Sequence, residues 1–252
     1  MWFASSYGRD AVVTMRALSM VVYEAEIKDQ RVNRAEPAER LRTIVVAGVS
    51  SGAGKTCVAE ALTRLMAERC RTAAAKITVT HGERGCPHGG KGCDVCGSLG
   101  GDFQVITRDN IILQPETDTA RLAAAGGSPV VWAITKENHV AEAWREMSRL
   151  MSNAACAVIE SNTLAQVIKP TLTLMVVDPS VSRKIWKPSA ERLIASAERV
   201  IFNDRGPQLN RAERVAEVLH LRGSIRDVIF VSHPHQAAEH PALLASLTEV
   251  LS

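Results

Sequence analysis

Aromatic side chains are scarce, at 4% of the 252 residues. With 46% of residues apolar, a sizeable core is available, and it must be built mainly from Val, Ile, Leu and Ala. No apolar stretch approaches the ~20 residues needed to span a bilayer. The N-terminus scatters Arg9, Asp10 and Arg16 where a secretory leader would carry its apolar segment. The expected compartment is therefore the cytoplasm, with no membrane partner. There is no long basic run, and the net charge is only +3, which argues against nucleic acid as the main partner. In a reducing compartment the six cysteines are expected to be reduced, buried or metal-bound.

What is present is a phosphate-binding signature. Ile44–Ala47 is short, β-branched and uncharged, the pattern of a strand buried on both faces. Small residues follow at once, through Ser51, Gly52, Ala53 and Gly54. Lys55 and Thr56 then open a segment with apolar residues at helical spacing: Val58, Ala61, Leu62, Leu65 and Met66. Strand, glycine-rich loop, Gly-Lys-Thr and helix make the P-loop context. Its backbone N–H groups can turn around phosphate oxygens, and the helix N-terminus adds partial positive charge. The lysine can reach the outer phosphates, and the threonine hydroxyl can join the coordination of Mg²⁺. One position departs from G-x-x-x-x-G-K-[ST]: the first glycine is replaced by Val49, with Gly48 one residue early.

Residues 1–42 read as an N-terminal arm or extra strand, and 43–252 as the nucleotide-binding domain. Beyond the P-loop, strands are predicted around 71–79, 129–134, 155–159, 171–177, 199–202 and 227–231. Helices are predicted over 118–125, 136–151, 189–198, 210–220 and 237–251. This alternation predicts an α/β fold with a doubly wound, mostly parallel sheet. Ligands of such sheets lie at the carboxyl ends of strands, which makes Lys76, Thr80, Glu160, Asn162, Asp178, Asn203, Asp204 and His233 candidates. Glu160 could hold Mg²⁺ or orient water. Asp118 suits either a metal-facing carboxylate or a helix cap, and Lys76 either a phosphate contact or an ion pair. Cys57, Cys70, Cys156 and Trp144 read as core residues.

Residues 81–101 form a glycine-rich insert unsuited to regular structure. Cys93 and Cys96 have the C-x₂-C spacing that lets two thiolates share one tetrahedral ion. Cys86 and a histidine, His88 within the loop in preference to His81, would complete a structural Zn²⁺ site. A loop with so little to bury needs such a ligand to offset its ordering entropy.

Four features resemble the MobB family, adaptors of molybdopterin-guanine dinucleotide synthesis, within the P-loop proteins of cofactor biosynthesis. They are Ser51–Thr56 after a buried strand; the run Lys76–His81; Asp118-Thr-Ala-Arg121 through Ala125-Gly-Gly127 and the strand after it; and Val158-Ile159-Glu160. Ser161-Asn162 stands where the family has glycine, and the cysteine-rich insert is an addition to the family pattern. The resemblance implies a nucleotide-dependent accessory protein of metal-cofactor synthesis. It would bind GTP or ATP with Mg²⁺, hydrolyse it slowly, and work beside a cofactor-synthesis enzyme, as a homodimer in one arrangement. Lys55, Glu160 and Asp118 are then the catalytic candidates. Ser51, Gly52, Ala53, Gly54, Lys55, Thr56 and Lys76 hold phosphate. Asn203, by its likeness to a strand-end asparagine of the wider branch, reads the base. Two other functions stand beside this one: a small-molecule kinase or ligase of the dethiobiotin synthetase-like branch, and a nucleotide-switched metal carrier or sensor.

Overall fold

The structure is a computed structural model and describes residues 41–80, 99–204 and 211–251. The expected arm at 1–42 (all but its last two residues) and the proposed zinc ligands Cys86, His88, Cys93 and Cys96 lie outside the described residues.

Among the described residues the chain folds around one sheet of eight strands. In chain order they are β1 (Arg42–Gly48), β2 (Thr72–Thr80), β3 (Phe103–Ile106), β4 (Val130–Lys136), β5 (Cys156–Glu160), β6 (Leu172–Val177), β7 (Arg199–Asn203) and β8 (Val228–Val231). Across the sheet they run β3-β4-β2-β5-β1-β6-β7-β8. All neighbours are parallel except β3, which pairs antiparallel with β4 at the edge.

The helices are α1 (Lys55–Ala67), α2 (Asp109–Ile112), α3 (Asp118–Ala124), α4 (Val140–Leu150), α5 (Ala190–Ser196), α6 (Arg211–Arg222) and α7 (Pro241–Leu251). They cover both faces. Period-two alternation along β1 divides the core accordingly. Ile44 and Val46 join the layer containing Leu62 and Met66 of α1, Leu122 of α3 and Leu247 of α7. Val45 faces the opposite layer with Val140 and Met147 of α4. Ala47 meets Leu193 and Ile194 of α5 and Val218 of α6. A strand buried on both sides has to be apolar at every position, which is why Ile44–Ala47 carries no polar residue.

This is the doubly wound α/β arrangement of P-loop NTPases, as the alternation predicted. Besides the unpredicted short helix α2, three details differ from that expectation. Phe103–Ile106 is an added edge strand, whose four residues are too few for periodicity to register. The helix expected from Lys136 starts later: Lys136 ends β4, and a 3₁₀ turn at Glu137–His139 precedes α4. The helix expected over 237–251 is two pieces, a 3₁₀ segment Pro234–Glu239 and then α7. Pro241 has no N–H to continue the first piece and occupies the first position of the second. Among the described residues no helix is long and apolar enough to cross a membrane.

Candidate functional site

The central strand β1 delivers the P-loop at its carboxyl end, between the ends of β5 and β6. Two glycines are required by close approach. A Cβ on Gly48 would stand 2.7 Å from Cγ of Lys55, so this residue lets the lysine side chain fold back over the strand end. Gly54 has φ +104°, and a Cβ there would meet Asn203 Nδ2 and Pro234 Cγ, both at 2.9 Å. Val49, where the usual motif has glycine, is fully buried against Val177 and Leu193. Here the loop's first residue serves the core, and Gly48 provides the clearance.

Lys55 begins α1. Its ammonium donates to Ser50 O at 3.0 Å, inside the loop's own curl. Burial lowers its pKa, and Glu160 partly opposes that shift. The next residue, Thr56, donates its hydroxyl to Glu160 Oε2 at 2.8 Å.

Sheet register supplies the other groups. Glu160 ends β5 and pairs with Val46 on one side and Lys76 on the other. Its carboxylate is buried, and Lys76 Nζ lies 3.6 Å from Oε1. Lys76 also forms an ion pair and hydrogen bond with Asp118, at the start of α3. Burial alone would raise the Asp118 pKa. The hydrogen bond and charge of Lys76, helped by Thr56 and Arg121, outweigh it and hold the carboxyl below the usual range. The helix cap, the alternative role for Asp118, falls to Thr117, whose hydroxyl accepts from Ala120 N at 3.2 Å. Arg121, one turn on, binds Glu60 at 2.7 Å and Cys57 Sγ at 3.2 Å. Cys156 is a core residue as predicted, whereas Cys57 and Cys70 are only half-buried: Cys57 meets Arg121, and Cys70 packs at the edge of the core.

These residues line a cleft of about 310 Å³ containing Ser51, Gly52, Gly54, Lys55, Thr56, Lys76, Asp118 and Glu160. Of the candidates for phosphate contact and catalysis, only Ala53 stays out of its lining, buried beneath the loop. The oxygens of Thr56, Glu160 and Asp118 are a hard-donor set of the kind Mg²⁺ takes, usually with waters retained. The cluster therefore fits that ion.

Asn203 lies elsewhere, behind the loop. It is fully buried at the end of β7 and donates from Nδ2 to Ala53 O at 3.1 Å, while its Oδ1 has no partner among the described residues. Asn162 brackets the other end of the loop, donating to Gly48 O at 2.6 Å and accepting from Gly48 N at 3.3 Å. Asp178 is turned into its own corner by Ser180, which donates from N at 2.9 Å and from Oγ at 2.5 Å. Thr80 lines the neighbouring larger cleft, and Asp204 pairs with Arg211 at 2.5 Å.

Sequence reasoning missed Lys187. Its N–H donates to Val49 O at 2.8 Å, which ties the β6–α5 connection to the P-loop. Its side chain shares the larger cleft with Lys55 and Lys76. Burial, then the charge of Lys55, lowers its pKa to about 8. The Lys-Pro-Ser start of α5 was the only local cue, and it does not point to a ligand.

No family model matches the chain, and no curated protein matches it. Among solved structures it is similar to the hydrogenase maturation factor HypB from Archaeoglobus fulgidus, at 10% identity and TM-score 0.46, over 85% of this chain and 92% of that one. It is also similar to an LAO/AO transport system kinase, at 14% identity and TM-score 0.46, over 98% of this chain and 68% of the other. A ParA family ATPase from Chlorobium tepidum gives 12% identity and TM-score 0.42, over 84% and 91%. Likeness at these identities concerns the chain trace alone, and the roles of residues rest on the geometry of this chain.

Proposed function

We propose that the chain binds GTP or ATP with Mg²⁺ at the P-loop and hydrolyses it slowly, as an accessory protein of metal-cofactor synthesis in the cytoplasm. The observation that carries the first part is the junction of Thr56 and Glu160, 2.8 Å apart at the mouth of the loop. The hydroxyl that follows the P-loop lysine touches a carboxylate from a strand 104 residues away, in a cleft that also holds two ammonium groups.

The loop amides and the N-terminus of α1 receive the phosphates. Lys55 leaves Ser50 O for the outer phosphate, exchanging one acceptor for a charged one. Thr56 and Glu160 would hold Mg²⁺, which neutralises charge on the phosphate oxygens. Glu160 is positioned to orient the attacking water. Lys76, held by Asp118, keeps a positive charge beside that carboxylate. Base reading by Asn203 rests on its likeness to the strand-end asparagine of the wider branch alone, since its side chain is buried behind the loop.

The link to molybdenum-cofactor chemistry, a cofactor-synthesis enzyme as partner and a homodimeric state rest on the resemblance to MobB. Structural zinc at Cys86, His88, Cys93 and Cys96 rests on spacing; elemental analysis of protein purified without added metal should find it in stoichiometric amount. The kinase or ligase reading is favoured by one observation, a second cleft open to the phosphate site. Turnover decides between them. Mg²⁺-dependent release of phosphate from GTP or ATP alone supports hydrolysis, whereas nucleoside diphosphate formed only with an added small molecule supports transfer.

A further inference from the structure

Beside the P-loop lies a cleft of about 810 Å³, within the range of sites for small metabolites. It runs across the carboxyl ends of β2, β5, β1 and β6 and shares Ser51, Lys55, Lys76 and Glu160 with the smaller phosphate cleft. Its remote side is formed by the β6–α5 connection, which brings Lys187 and Arg192. Four cations therefore line one space with two carboxylates, Glu160 and Glu137.

The pairing of these charges is uneven. Glu160 is engaged by Thr56 and Lys76. Glu137 is exposed on the rim. Neither Lys187 nor Arg192 has an ion pair or side-chain hydrogen bond among the described residues. A half-buried ammonium without a counter-ion is costly to keep, and here a second ammonium, Lys55, bears on it as well.

The location of Lys187 is also fixed. Its N–H is held by Val49 O, Pro188 restricts the next φ, and its carbonyl accepts from Ala190 N at 2.9 Å as α5 begins. A side chain rooted this firmly is preorganised for a ligand.

We propose that the larger cleft binds a second, anionic small molecule alongside the nucleotide, a polycarboxylate or a phosphate ester, with Lys187 and Arg192 as its anion contacts. The site deepens the functional reading above and rests on it for the occupant of the neighbouring P-loop. Its opening onto the P-loop places such a molecule next to the outer phosphate.

The test saturates the protein with Mg²⁺ and a non-hydrolysable triphosphate analogue, after calorimetry has established that the analogue binds. Citrate and inorganic phosphate are then the two probes. Binding is read by calorimetry and by protection of Lys187 from acetylation in mass spectrometry. We expect at least one probe to bind without displacing nucleotide and to protect Lys187. Lys187→Met and Arg192→Met should each weaken that probe at least tenfold and leave nucleotide affinity within about twofold. Citrate alone binding marks a carboxylate ligand; phosphate alone marks a phosphate ester. The proposal falls if neither probe binds, if the probes bind only by displacing nucleotide, or if Lys187→Met weakens nucleotide as much as probe, which would make Lys187 a nucleotide contact. If nucleotide itself does not bind, the functional reading falls by itself, and protection of Lys187 by the same probes in the free protein still decides the cleft.

Discussion

The two sides of the site treat charge in opposite ways. On the β2 side, Lys76, Asp118, Glu160 and Thr56 form a closed set, each group bonded to another within the cleft. On the β6 side, Lys187 and Arg192 face the same space, and among the described residues no carboxylate forms an ion pair with either. A closed set holds its side chains in place before a ligand arrives, so little rearrangement is needed when phosphate and metal enter. An open set leaves unfavourable electrostatic energy that only an incoming anion relieves. In the function proposed above, the closed side positions the reaction and the open side collects the second ligand. Variants that break one side should therefore leave the other recognisable.

Glu160→Gln should have the largest effect. The amide keeps the shape of the buried side chain and its contact with Thr56 but removes the charge facing Lys76. Removal of a positioned acid–base group typically costs about 10²–10⁴ in rate. Hydrolysis measured by phosphate release should fall by that order, with nucleotide affinity held within a few-fold. Turnover equal to the parent would remove Glu160 from the reaction and leave it a charged strand end.

Lys55→Ala should come next. A charge-assisted contact to phosphate contributes about 1.5–3 kcal/mol, which corresponds to roughly 10–150-fold in affinity. Calorimetry with the triphosphate and Mg²⁺ reads the loss directly. Parent-like affinity would mean that the loop amides and α1 hold the phosphates unaided. This substitution removes one cation from the larger cleft but leaves Lys187 and Arg192 in place, so protection of Lys187 by citrate or phosphate should persist, which keeps the two halves of the comparison separate.

The same contrast explains what could be read from sequence. The closed side was legible because its parts follow rules with local cues. A buried strand followed by small residues and Gly-Lys-Thr fixes Lys55 and Thr56, and a carboxylate at the end of another buried strand gives Glu160. Lys76 lies opposite Glu160 because β2 and β5 are in register, which the pattern of strand ends anticipated without giving the pairing. Asp118 was ambiguous between cap and site, because the residue before it, Thr117, competes for the cap. Lys187 had no such cue. It lies in a connection between elements, and what brings it to the site is a hydrogen bond to Val49, 138 positions earlier in the chain. Contacts of that range belong to tertiary structure and leave no periodicity behind. The edge strand β3 was hidden for a related reason: it is short, and its pairing to β4 is antiparallel in a sheet whose other signals are parallel.

The smallest expected effect sharpens the open side through pH. In the folded protein the pKa of Lys187 is lowered from 10.5 to about 8, by burial first and by Lys55 second. Below about pH 8 the side chain is charged in both folded and unfolded chains, and the folded chain bears the whole cost of holding it. As pH rises through 8 the folded form releases its proton while the unfolded form keeps it, so the cost shrinks; by about 10.5 it is gone. Lys187→Met should therefore raise the melting temperature at pH 7 and lose that advantage steadily toward pH 10. Solvent at the half-buried ammonium screens part of the penalty, so the rise is set at about 2–4 °C, the shift that about 1 kcal/mol produces in a domain of this size. Arg192→Met, at an exposed position, should show no such pH-dependent gain. Citrate or phosphate bound beside Lys187 should reverse the sign: an anion favours the charged lysine, so binding at pH 8 takes up a proton, seen as a heat that changes with the ionisation enthalpy of the buffer. A melting temperature of Lys187→Met that tracks the parent at every pH would mean that the ammonium is already well solvated, and the strain assigned to the open side would be absent.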